Sequence, residues 1–189
     1  MIQVRLAAPR RAARVTGLIL GAALLRALLL PVGELFSTIV FAAFLLGISW
    51  FERPAAASES RWGSGRSLVA GLMVGAVLLA PVVSGPFSAR PLSAFVPWAA
   101  IAALVATLEE TSIRGVLYRQ WAGEAGTLAA IVVGAVVFAL IHLPRYGLGA
   151  MPLDAAVGLA LGGLRALTGS VLPCAVAHTV ADWGAWFWA

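Results

Sequence analysis

Seven stretches of this chain, at about 15–33, 35–51, 68–84, 95–118, 126–143, 152–168 and 171–188, are apolar over close to the length a helix needs to cross a bilayer. The hydrocarbon core offers no water to backbone N–H and C=O groups, so runs of this length satisfy them internally, as helices. The chain is therefore expected to be an all-α, polytopic transmembrane helical bundle, a single integral membrane domain over residues 1–189. About seven spans are expected, with six and eight as the neighbouring counts. A mean hydropathy of +0.97 and a charged fraction of 11%, against about 25% in soluble domains, exclude a water-soluble fold.

The net charge of +5 comes from arginine alone, since all thirteen basic residues are arginines. Beyond the N-terminal group they stand singly near span ends, so they read as orientation signals and no nucleic-acid partner is expected. With the N-terminus in the cytoplasm, Arg5, Arg10, Arg11, Arg14, Arg53, Arg61, Arg66, Arg114, Arg119 and Arg165 fall at cytoplasmic ends, and Arg26, Arg90 and Arg145 do not. The expected setting is a bacterial inner membrane. Arg26 interrupts the first apolar run, which argues for a retained span over a signal peptide, with the guanidinium snorkelling to a surface. Residues 52–67 read as a polar loop. Gly158 and Gly162 offer a small face for close helix packing. Cys174, the lone cysteine, can form no internal disulfide.

Against this background the stretch ATLEETSIRGVLYRQW at 106–121 stands out, because intramembrane carboxylates need partners or a wet cavity. Glu110 and Arg114 are four apart and meet on one helical face. Glu109 is rotated from Glu110 by about 100° and must find its partner on another helix. The only two histidines, His142 and His178, both lie in apolar runs, and His178 shares a face with Asp182 four residues on. Glu109, His142, His178 and Asp182 thus sit on three spans and can converge in one cavity. A carboxylate and a neutral imidazole can hold a water that the carboxylate deprotonates, and a second imidazole can donate to a developing oxyanion. That is the equipment of an amide hydrolase. Zinc is the obvious rival, but the HExxH arrangement is absent, and two histidines are too few for a di-iron membrane enzyme. No metal and no cofactor are expected.

In order and internal spacing, EETSIR at 109–114, FALIH at 138–142 and HTVAD at 178–182 resemble the EExxxR, FxxxH and HxxxN/D motifs of the CPBP family, the CAAX proteases and bacteriocin-processing enzymes also called Abi. The resemblance covers about residues 95–189. It implies a metal-independent, glutamate-type intramembrane endopeptidase with a catalytic cavity within the membrane. Glu109 and His142 would activate water, and His178 and Asp182 would form the oxyanion side. Glu110, Arg114 and Phe138 would support the site. Position 182 is Asp rather than Asn, and an ionised Asp cannot donate to an oxyanion. Either Asp182 is protonated or it orients His178 through the other imidazole nitrogen. The implied partners are the lipid bilayer and a membrane-anchored protein or peptide substrate, whether a prenylated CAAX protein, a bacteriocin leader or a C-terminal sorting signal. The arginine-only, alanine-rich composition resembles that of high-GC bacterial proteins, which disfavours the first.

Two readings of another class compete: an ion- or proton-coupled transporter subunit using Glu109 and the histidines as a relay, and a non-catalytic immunity or scaffold protein. Counting from the expected helix starts also leaves Glu109 and His142 about 9 Å apart in depth.

Overall fold

The computed structural model describes residues 10–52, 60–83, 85, 87 and 90–188, and among these there is no strand. Helix α1 (Arg10–Leu29) passes through a short 3-10 turn to Gly33, whose φ of 153° breaks the helix, and α2 (Glu34–Phe51) returns against it. Helix α3 is Ser64–Leu78. Helix α4 (Leu92–Glu110) runs through a π-helical turn at Thr111–Leu117 into α5 (Tyr118–Ala125), one rod of 34 residues. Gly126, at φ 90°, turns the chain into α6 (Thr127–Tyr146). Helices α7 (Met151–Thr168) and α8 (Leu172–Ala185) follow, joined through Gly169 in the left-handed region.

Among the described residues, five segments are long and apolar enough to cross a membrane: Arg11–Val32, Glu34–Phe51, Leu92–Ala125, Thr127–Tyr146 and Leu148–Thr168. The other two expected spans become shorter helices. Fifteen residues in α3 and fourteen in α8 rise only about 21–23 Å, less than the roughly 30 Å hydrocarbon core. The outer surface is apolar, with Leu28, Phe51, Val77 and Leu128 all largely exposed, as a lipid-facing surface requires.

Close packing depends on small residues. A methyl group on Gly71 would stand 2.7 Å from Cβ of Val176 in α8, so α3 lies on α8 only because that side chain is missing. Gly158 and Gly162 do face α6, and a Cβ on Gly158 would stand 2.7 Å from the Cα of Ala135. The central core, which includes Ile19, Phe41, Leu45, Ile113, Leu117, Leu161 and Cys174, joins α1, α2, the π turn, α7 and α8. At the far end of α8, Trp186 packs on Trp98 of α4 with ring centroids 4.6 Å apart, and Trp183 donates its indole N–H to the Ala99 carbonyl at 2.9 Å.

Three arginines depart from the expected picture. Arg114 and Arg165 are buried, the first paired with Glu110 and the second donating Nε–H to the Arg114 carbonyl at 2.9 Å. They serve the interior and carry no information on sidedness. Arg26 turns inward instead of snorkelling: its guanidinium lies 5.0 Å over the Phe41 ring and donates to Thr38 Oγ1 at 3.4 Å.

Candidate active site

The expected depth mismatch disappears because α4 does not end near residue 118. Its rod continues to Ala125, so the turn at Gly126 sets the register of the hairpin. Glu109 lies seventeen residues before Gly126 and His142 sixteen after it, which brings them level. The His142 Nε2 stands 4.0 Å from Glu109 Oε2. His178 comes in from α8, with Nε2 3.8 Å from the same Glu109 oxygen and 3.8 Å from Asp182 Oδ1. All four chemistry-bearing side chains therefore meet. Glu109 and His178 are buried, His142 is nearly so, and Asp182 stands at the mouth with 36% of its side chain exposed.

The tautomer of His142 follows from its partner. Nδ1 lies 2.8 Å from the Phe138 carbonyl one turn back, and a carbonyl only accepts, so Nδ1 carries the proton. Nε2 of the neutral ring is then a lone pair turned toward Glu109. An ionised carboxylate and an imidazole lone pair 4.0 Å apart are two acceptors that need a shared donor between them, and water is one.

Beneath this pair lies a buried scaffold. Glu110 Oε1 accepts from Arg114 Nη1 at 2.9 Å and from His178 Nδ1 at 3.0 Å, so one carboxylate both neutralises the arginine and fixes the second imidazole. Arg114 also donates Nη2–H to the Gly158 carbonyl at 3.1 Å. The Phe138 ring is the platform: the Arg114 guanidinium lies 4.7 Å from its centroid, the His142 ring 4.4 Å and the His178 ring 5.2 Å. The nitrogen of His178 that Asp182 would have had to orient is taken by Glu110, and Asp182 approaches Nε2 instead.

Three further residues escaped the sequence reading. Asp154, in the first turn of α7, is within electrostatic reach of both histidines, and its signal was an acid inside the apolar run at 152–168. Arg26 is within electrostatic reach of Glu109 from α1. Tyr146 stacks on His142 at 5.8 Å and 11°, a contact that its four-residue spacing from His142 could have suggested.

Donor atoms of Glu109, His142 and His178 all lie within 4.8 Å of one another, so this residue set could also hold a metal ion. Ligand atoms sharing a tetrahedral zinc at 2.0–2.1 Å stand about 3.3 Å apart. The separations of 3.8 and 4.0 Å here are wider and suit a bridging water.

Residues 91–184 match the family model described as Rce1-like, type II CAAX prenyl endopeptidase. No curated protein and no solved structure matches the chain.

Proposed function

From the match of residues 91–184 to the Rce1-like family of type II CAAX prenyl endopeptidases we propose that Glu109 and His142 activate the water that cleaves the substrate of this chain. It is an integral membrane protein of a CAAX-type intramembrane protease family. The observation that carries the residue roles is the acceptor pair of Glu109 Oε2 and His142 Nε2, 4.0 Å apart, with the imidazole proton committed to Phe138. Water held there donates one O–H to each. As its oxygen attacks the peptide carbonyl, Glu109 takes the proton and the carbonyl electron pair moves onto oxygen. His178 and Asp182 line the oxyanion side. When the C–N bond breaks, Glu109 returns the proton to the leaving amine, which restores the site. General-base catalysis of this kind contributes about 10²–10⁴-fold.

The substrate is a membrane-associated or C-terminally anchored protein, and no metal takes part. The N-terminus lies in the cytoplasm of a bacterial cell. A reporter fused there should resist protease added outside intact cells, and digestion would reverse the assigned orientation. Comparing N- and C-terminal peptides from hosts carrying wild type or Glu109→Gln tests the activity: cleavage products present only with wild type support it. Identical peptide sets overturn it.

A metalloenzyme is the second reading. The convergence of Glu109, His142 and His178 favours it, as does the way each histidine's other nitrogen is fixed by an oxygen. It forecasts activity lost to a chelator and restored by zinc, whereas the water-activating carboxylate forecasts activity unchanged by chelation.

A further inference from the structure

The oxyanion side has one evident donor too few. Two are usual for an oxyanion, and Asp182, 3.8 Å from His178 Nε2, supplies none while it serves as the ionised partner of that ring. The two Nη atoms of Arg114 are directed at Glu110 and the Gly158 carbonyl, and Nδ1 of His178 is bonded to Glu110. That leaves His178 Nε2, which donates only when the ring carries both protons, the form that the surrounding carboxylates of Glu110, Glu109 and Asp182 favour. Tyr146 is the last residue of α6, one turn beyond His142, and its ring lies parallel to the imidazole with centroids 5.8 Å apart. The Arg145 guanidinium lies 5.5 Å from the centroid of the same ring, and Arg145 is tied to Glu34 of α2 by a 2.7 Å ion pair. The ring is thus held beside the His142 imidazole by both neighbours. The stack seats Tyr146 against the imidazole of His142, and its phenol is within electrostatic reach of Asp182 and Glu109.

We propose that the Tyr146 hydroxyl is a catalytic oxyanion donor of this site, standing in for the amide that residue 182 lacks. The inference rests on the peptidase reading above. A phenol keeps its proton near neutral pH, so it can donate where the carboxylate cannot. During attack the new C–O bond forms from water, Glu109 holds the water's proton, and the negative carbonyl oxygen accepts hydrogen bonds from Tyr146 O–H and His178. Tyr146 keeps its proton throughout. On collapse the C–O double bond re-forms, the C–N bond breaks, and the proton on Glu109 goes to the amine.

Tyr146→Phe removes the hydroxyl and keeps the aromatic ring. In liposomes with a membrane-anchored peptide reporter, kcat should fall about 10²–10³-fold with little change in KM. The double variant Tyr146→Phe with Asp182→Asn, which restores a donor from the neighbouring position, should recover at least tenfold of that loss. A purely structural tyrosine would show no such rescue. Wild-type activity together with an inactive Glu109→Gln establishes the underlying reading in the same assay. Against that background, Tyr146→Phe within threefold of wild type, or a double variant no better than the single, overturns the inference and leaves the peptidase reading standing. Absence of cleavage by wild type overturns both.

Discussion

Glu109 and Glu110 are chemical twins separated by one helical step, and that step gives them different work. Glu110 is fully buried between a guanidinium and an imidazole, whereas Glu109 turns toward the two Nε2 atoms. Removing one partner of a buried ion pair leaves the other charge uncompensated and costs about 3–5 kcal/mol. Glu110→Gln should therefore lower the melting temperature in detergent and, by freeing His178, the activity as well. Full stability with no activity would assign Glu110 a direct chemical role. Glu109→Gln, which breaks no arginine ion pair among the described residues, should melt within a few degrees of wild type, and a collapse in stability would make Glu109 structural. The Glu110–Arg114 contact was legible from four-residue spacing alone. The Glu110–His178 bond was not, because it joins residues 68 apart on different helices and no local period encodes it.

At the scale of helices, the site depends on how closely α7 approaches α6. Gly158 permits that approach and supplies the carbonyl that holds Arg114, so packing and active-site order are linked at one residue. Gly158→Ala would press a methyl onto the Ala135 backbone, which cannot rotate away, and should cost about 1–3 kcal/mol together with activity. Gly162→Ala meets the Ile131 side chain at 3.1 Å, which can shift, and Gly163→Ala meets nothing within 4 Å. Unfolding in detergent should rank them Gly158, Gly162, Gly163 from most to least destabilised, and equal effects would refute the packing account. The sequence marked the small face of α7 through its glycines. It did not mark the π turn at Thr111–Leu117, since no residue type in TSIRGVL demands a wider helix. Helix ends were partly legible: α3 stops at Leu78 although apolar residues continue, and Pro81, which has no N–H to give and disfavours helix in the residue before it, marks that stop.

Across the whole molecule, four of the eight acidic residues, Glu109, Glu110, Asp154 and Asp182, gather around both histidines in a chain whose remaining surface is largely apolar. That concentration was visible in the sequence as isolated polar residues in otherwise apolar runs, because each would be costly alone in lipid. Their common depth was not, since it depends on where the α5–α6 turn falls. A relay for ions and a peptidase would both gather such groups, and only the product separates them. The most direct test is cleavage of a membrane-anchored reporter by purified wild type and Glu109→Gln in matched liposomes. Wild type should release the peptide and Glu109→Gln should be slower by at least about 10²-fold at equal folded protein. Equal cleavage by both, or ion flux through wild type with no peptide product, would contradict the assignment of Glu109 as the water-activating base.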